Sequence, residues 1–367
     1  METDVIVDLL AELVQHGGSD LHLSAGRPPT ARILGKLVPL REEPLSGLQN
    51  RSLILSLLTD RQRAELEEKK ALNFACDIEG LARFRGAAYF VMGQIEANFR
   101  VIPAVEVTID QLGHSPEVNR FSGMRSGLVL ITGSSGSGKS TTWAAMLQQV
   151  AANRATSILT IEDPVEFLLD PGQSLVRQRQ VGSDVQTFSA GLATALRQDS
   201  DVIGIGELRE PESISLAITA AETGHLVVAS LHASNIEAAL SRMIDAFPAE
   251  QQRFAAAQLA ACLKGIICQY LIPRSSGEGL VLASELLIAN SAVRSCIREY
   301  RLTQIRSCLE IGSSDGMHTI DDSLLQWVLS EEVLLNEALP FARDPERLKQ
   351  DFQEAIQQPK KKKGWFS

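Results

Sequence analysis

The stretch GSSGSGKSTT, residues 133–142, lies directly behind the apolar run GLVLI and directly ahead of WAAMLQQVAA. No other feature constrains the fold as tightly. Gly133, Gly138, Lys139 and Ser140 satisfy the pattern G-x-x-x-x-G-K-[ST] in the setting that pattern requires, a strand before and a helix after. Glycines let the backbone curl so that several N–H groups point inward, and the following helix offers the positive end of its dipole to an anion. Residues Gly133, Ser134, Ser135, Gly136, Ser137, Gly138, Lys139, Ser140 and Thr141 are therefore candidate nucleotide-binding residues. Lys139 is expected to reach the β- and γ-phosphates and the Ser140 hydroxyl to bind Mg²⁺, which makes a nucleoside triphosphate the implied ligand.

The chain downstream of Gly127 carries the same message. Apolar strands GLVLITG, SILTIED, VIGIGE and LVVASLH alternate with helical patterns over 140–152, 187–198, 211–222 and 235–246. Such alternation predicts a mainly parallel sheet with helices on both faces and ligands at the carboxyl ends of its strands. Beyond residue 250 the chain reads as mostly helical, apart from a strand pair around LIPR and GLVLASELLI. It ends in the basic run PKKKKGWFS, read as a solvated end.

Upstream, DVIVDLLAELVQ has helical spacing and GGSD ends that helix before the short strand LHLS. Alternation in ARILGKLVPL, a polar helix around DRQRAELEEKK and the strands RFRGAAYFV and IEANFRVIP predict a small α+β domain. The expected boundaries are 1–107 for this domain, 108–120 for a linker with a short helix, and 121–367 for the second domain. At 367 residues both can bury their own cores.

Composition narrows the partners. With 35 basic against 45 acidic residues the formal charge is −10, which argues against a general affinity for nucleic acid backbones. Five scattered cysteines, Cys76, Cys262, Cys268, Cys296 and Cys308, lack C-x-x-C pairing and read as reduced thiols. METDVIVDLL is acidic where a signal peptide is basic, and no apolar run approaches the roughly 18 residues of a membrane span. The expectation is a cytoplasmic protein that does not bind nucleic acid.

Three further segments end strands in polar residues. TIEDPVEF places Glu162, Asp163 and Glu166 after a strand, where one carboxylate can accept a proton from an attacking water. VIGIGELRE delivers Glu207 to the sheet edge, where an acid holds Mg²⁺ directly or through water. GHLVVASLHASN brackets a six-residue strand with His225 and His232, one at each end, and His232 is the better placed to sense a γ-phosphate.

GSSGSGKST, IEDPVEF, IGELRE and AETGHLVVASLHASN together resemble the secretion ATPases of type IV pili, especially their PilT-like retraction branch. GSDLHLSAGRPP resembles that family's N-terminal domain signature, so the resemblance covers nearly the whole chain. It implies an N-terminal PAS-like α+β domain followed by a RecA-like P-loop ATPase domain with a helical C-terminal extension. It also implies ATP hydrolysis by a homohexamer that drives an inner-membrane pilus platform protein during pilus retraction and twitching motility.

Carried over by residue, the resemblance implies Glu166 as the base that activates water and Glu207 as the second acid, supporting Mg²⁺. Glu162 and Asp163 match the Asp box, and His225 and His232 the histidine box. Arg83, Arg85 and Arg100 match N-terminal-domain arginines that reach the nucleotide at a domain or subunit interface and neutralise charge growing in the transition state. Two features depart from the family pattern. Met92-Gly93-Gln94 stands where Q-R-G is usual, and AVRSCI, residues Ala292, Val293, Arg294, Ser295, Cys296 and Ile297, stands where the retraction motif reads A-I-R-N-L-I. The sequence leaves open a principal motor, a paralogue that assists one, and a nucleotide-binding ring subunit that does not hydrolyse. An extension ATPase fits less well, because the larger N-terminal region and tetracysteine site usual in that branch are absent.

Overall fold

The computed structural model describes residues 2–357, so the basic run at 359–367 lies outside the described residues. The chain divides into two units, Met1–Ala104 and Val105–Ser367.

The first unit runs α1 (Glu2–Gln15), β1 (Gly18–Leu23), β2 (Thr30–Ile33), β3 (Lys36–Pro39), α2 (Gly47–Ser56), α3 (Asp60–Lys69), β4 (Ala71–Ile78), β5 (Ala82–Val91) and β6 (Gln94–Ile102). Its strands form one sheet in the order β3-β2-β1-β6-β5-β4, antiparallel throughout. Helix α1 forms because Ile6, Leu9, Leu10 and Leu13 fall on one stripe, and all four are buried. Ser46 and Thr59 start α2 and α3 with capping boxes closed by Gln49 and Gln62. The core is made by one face of the sheet, including Leu21, Phe74, Phe84 and Phe99. Sequence patterning alone misses α2, which carries no amphipathic stripe, and β4, whose ALNFACDI reads ambiguously until β5 pairs with it.

The second unit begins with α4 (Pro116–Ser122), β7 (Gly127–Thr132), α5 (Lys139–Asn153), β8 (Ser157–Glu162), β9 (Leu175–Gln180) and α6 (Phe188–Ala195). It continues through β10 (Val202–Ile205), α7 (Pro211–Glu222), β11 (Leu226–Leu231), α8 (Ile236–Asp245), α9 (Gln252–Cys262), β12 (Leu263–Pro273) and β13 (Leu280–Ile288). The helices α10 (Ser291–Arg298), α11 (Ile305–Ile311), α12 (Ile320–Leu329), α13 (Leu335–Ala338) and α14 (Pro345–Gln357) follow. The sheet order is β13-β12-β7-β11-β10-β8-β9; every neighbouring pair is parallel except β12 with β13.

β7 sits near the middle with all six residues buried, as a strand covered on both faces must be. Its alternate residues serve different cores. Leu128 and Leu130 pack with α6–α9, whereas Val129 and Ile131 pack with α5 and α4. The segment 108–120, read from sequence as a linker, falls in this unit: Ile109 and Val118 are buried beside Val129. Two strands also differ from the sequence reading. β12 starts at Leu263, well before LIPR, and pairs parallel with β7. β9, LVRQRQ, is a polar edge strand that shows no alternation clear enough to read.

Candidate active site

Gly133 and Gly138 are where the loop after β7 needs glycine. Gly133 has φ +146, and a Cβ there would come within 2.5 Å of both the Gln269 carbonyl and Ser137 Oγ. Gly138 has φ +85 and caps α5. Both lie in the left-handed region that side chains disfavour. The loop is steadied from the next strand, where buried Gln269 donates Nε2–H to the Ser137 carbonyl at 2.8 Å.

At this loop a cavity of about 620 Å³ opens at the carboxyl ends of β7, β8, β10 and β11. It is lined by Lys139, Ser140, Glu166, Glu207, Arg209 and His232, among others. Lys139 Nζ donates to the carbonyls of Gly133 (3.0 Å) and Ser134 (2.6 Å), which holds the ammonium over the loop. Burial pulls the Lys139 ammonium below its usual range, opposed by the charges of Glu207, Cys268 and Glu166. Ser135, Gly136 and Thr141 also face the cavity; Ser137 is turned inward and buried.

The carboxylates differ in environment. Glu162 ends β8 and is 3% exposed; it accepts hydrogen bonds from Thr160 Oγ1 (2.7 Å) and Gln178 Nε2 (2.9 Å). Burial pushes its carboxyl up to about 7, partly offset by those bonds and by the Glu166 backbone N–H. Glu162 thus organises the loop that carries Asp163 and Glu166, and those two are exposed at the mouth of the cavity. Glu207 is paired with Arg209 at 2.6 Å. Burial alone would raise the Glu207 carboxyl, but Arg209, His232 and Lys139 outweigh it and hold it below its usual range.

The two histidines part company. His232, just past β11, donates Nδ1–H to the Gly133 carbonyl at 2.9 Å, since a carbonyl can only accept. That bond fixes the tautomer and leaves Nε2 available on the cavity side. His225 sits at the opposite end of β11, its ring nitrogen 3.0 Å from the Ala220 carbonyl, and takes no part in lining the cavity. A six-residue strand separates the two by roughly 20 Å.

The expected arginines lie on the first unit's sheet. Arg85 and Arg100 face each other across β5 and β6. Arg100 Nε donates to Asp20 at 2.8 Å, and Arg83 pairs with Asp77 at 3.2 Å. The segment 292–297 forms α10, where Arg294 closes the end of α9 by donating to the carbonyls of Ala260, Ala261 and Leu263. Sequence reading passed over Arg209 and Gln269. Arg209 was in view, two residues past Glu207 in IGELRE; Gln269 announced itself only as a polar residue in the apolar run IICQYLI.

A phosphate-cradling loop, a lysine over it and acids on neighbouring strand ends form an arrangement suited to phosphoryl transfer, which needs positioning and charge neutralisation above all. Residues 72–324 match the family model of the type II/IV secretion system protein. The type IV pilus retraction ATPase PilT of Pseudomonas aeruginosa is 41% identical over 93% of this chain and 99% of its own length. The type IV pilus ATPase PilU of the same organism is 34% identical over 91% of this chain and 87% of its own length. Among solved structures, the crystal structure of the pilus retraction motor PilT with bound ADP superposes with a TM-score of 0.85 at 36% identity, covering 94% of this chain and 99% of that one. The chain therefore belongs to the type II/IV secretion system protein family, within its PilT-like retraction ATPase branch.

Proposed function

We propose that the protein is a homohexameric ATPase motor that powers type IV pilus retraction by acting on a platform protein at the cytoplasmic face of the inner membrane. The observation that carries this reading is the convergence of Lys139, Glu166, Glu207 and His232 on one cavity at the carboxyl edge of the parallel sheet. Among the described residues no helix is long and apolar enough to cross a membrane.

In this reading the Gly133–Thr141 backbone and Lys139 hold the β- and γ-phosphates, in place of the carbonyls that Lys139 now contacts. Glu166, exposed at the cavity mouth, takes the proton from the attacking water. His232 presents Nε2 to the terminal phosphate, a position that reports whether that phosphate is there. The Ser140 hydroxyl and Glu207 carboxylate are hard oxygen donors of the kind Mg²⁺ takes, and when bound the ion neutralises phosphate charge. Arg209 holds Glu207 by Oε2 alone, so it sets the orientation in which the carboxylate meets that ion and leaves Oε1 to serve it. Arg85 and Arg100 complete the nucleotide site from a neighbouring subunit, and the head-to-tail contacts this requires close into a ring.

Magnesium-dependent phosphate release by the purified ring, abolished in Glu166→Gln while ATP still binds, is the expected result. Turnover unchanged in Glu166→Gln would remove Glu166 from the role of base. In cells, deletion of the gene is expected to leave extra surface pili and no twitching; bald cells would overturn the assignment to retraction.

A further inference from the structure

A second cavity, of about 480 Å³, lies against α10 and α11, with Asn290, Cys296, Gln304, Ser307, Cys308 and Asp315 in its wall. Two thiols meet there. Cys296 Sγ is 3.8 Å from Cys308 Sγ, and Gln304 Oε1 accepts from Cys296 at 3.9 Å. The other cysteines of this unit are engaged elsewhere: Cys262 with the Leu259 carbonyl and Cys268 with the Tyr270 hydroxyl. Cys296 is 7% exposed and Cys308 more so, so the pair is shielded on one side and open to the cavity on the other.

Sulfurs in van der Waals contact need to approach only to about 2.05 Å to bond. The remaining approach comes from side-chain rotation together with a small shift of α10 against α11, two short helices joined by residues 299–304. A cavity of this volume also admits a peptide-sized molecule to the sulfurs.

We propose that Cys296 and Cys308 are a reversible dithiol–disulfide site, oxidised by small disulfides that enter this cavity, and that the bond fastens α10 to α11. The more exposed Cys308 thiolate attacks one sulfur of the small disulfide and expels a first small thiolate. The Cys296 thiolate then attacks Cys308 Sγ and expels the second. Two protein thiols are oxidised to one disulfide, one small disulfide is reduced to two thiols, and the two protons given up by the cysteines pass to the departing thiolates. Burial and the contact with Cys296 push the Cys308 thiol up to about 11, which keeps its thiolate scarce and the exchange slow.

The mechanical consequence follows from what holds α10 already. Arg294 ties one side of the helix to the end of α9, and Cys296 lies two residues on, facing α11. A disulfide would therefore grip α10 from both sides. The site stands on the sulfur geometry and does not depend on the reading of the protein as a pilus motor.

The test uses the reduced, full-length protein incubated with oxidised glutathione, quenched by alkylation and mapped by mass spectrometry. The expected product is a 296–308 linkage lighter by two hydrogens, dominant over every other pairing and reversed by dithiothreitol. Cys308→Ser, which keeps near-native volume, should form no internal link. A stable glutathione adduct on Cys308 without the link, or linkage of other cysteine pairs to the same extent, would overturn the site. Trypsin cleavage after Arg298 and Arg301, read on reducing gels, should slow about tenfold on oxidation because local opening is restrained. Equal cleavage of both forms would overturn the fastening of α10.

Discussion

The two sheets of this chain place their charged side chains by different rules. In the seven-stranded sheet the chemically useful residues emerge at one edge: Lys139 after β7, Glu162 at the end of β8 and Glu166 after it, Glu207 after β10 and His232 after β11. In the six-stranded sheet charge is spread over a face, with Arg32, Asp20, Arg100 and Arg85 in facing register on β2, β1, β6 and β5. Parallel strands all end in the same direction, so their loops converge and can enclose a small ligand. Antiparallel neighbours end in opposite directions, and what they share is a face. One geometry makes a pocket and the other a flat charged row suited to meeting another surface.

If the pocket residues act on the nucleotide directly, substitutions at the edge should have the largest effects. Lys139→Ala should lower turnover by roughly 10³-fold, the scale of losing a preorganised donor to transition-state charge, and should weaken ATP binding in a calorimetric titration. Glu166→Gln should bind ATP normally and turn over about 10²-fold more slowly, as expected for loss of a general base. Nucleotide affinity unchanged in Lys139→Ala would break the pocket side of the comparison.

Arg100→Ala tests the face. Arg100 is largely exposed but its partner Asp20 is buried, so the substitution strips a buried carboxylate of its cation and should lower stability by about 1–3 kcal/mol. Turnover of the assembled ring should fall by about tenfold, less than for a pocket residue, because the arginine supports charge from a separate surface. A dilute monomer that hydrolyses ATP as fast per subunit as the ring would refute the shared site. Smaller still is the contrast within β11: His232→Ala should reduce turnover several-fold, and His225→Ala should leave it near wild type in the same phosphate-release assay.

A further contrast separates the units by pH. Glu162 and Glu285 are each held near 7 by burial. Their folded forms keep protons that the unfolded chain has released, so the second unit should lose stability as pH rises from about 4.5 to 7. Asp20 behaves oppositely. Burial would raise its carboxyl, but the bonds from Ser19 and Arg100 prevail and lower it, so the first unit loses that contribution as pH falls through the acid range. Tryptophan fluorescence isolates the second unit, since Trp143 and Trp327 lie there and residues 1–104 contain no tryptophan. Its unfolding midpoint should fall with rising pH in that window, and Glu285→Gln should flatten the slope.

Much of the site was legible because its residues sit beside local signals. The loop GSSGSGKST names its own glycines, lysine and hydroxyls, and the acids of IEDPVEF and IGELRE follow apolar runs of strand length. Glu207 is therefore found from spacing, whereas spacing leaves Glu162, Asp163 and Glu166 as alternatives and only the family resemblance singles out Glu166. What could not be read was long-range. Gln269 supports the loop only because β12 pairs with β7, more than a hundred residues earlier in the chain. β9 and α2 escaped notice because neither has a clear apolar period, and both are held by neighbours.

By itself, then, the sequence determined the parallel α/β core, the phosphate loop and the carboxylates near it, since apolar periodicity and glycine conformations are properties of short segments. Only the tertiary structure decided what each polar group does. Both histidines bracket the same strand, yet His232 bonds the Gly133 carbonyl and His225 points to the far end, a difference set by which strand end carries the loop. Glu162 ends β8 and Glu166 follows it four residues on, yet one is buried among donors and the other open to the cavity. Cys296 and Cys308 become a pair only when α11 folds back on α10. Each of these depends on burial and on contacts between distant segments, quantities that no local pattern encodes.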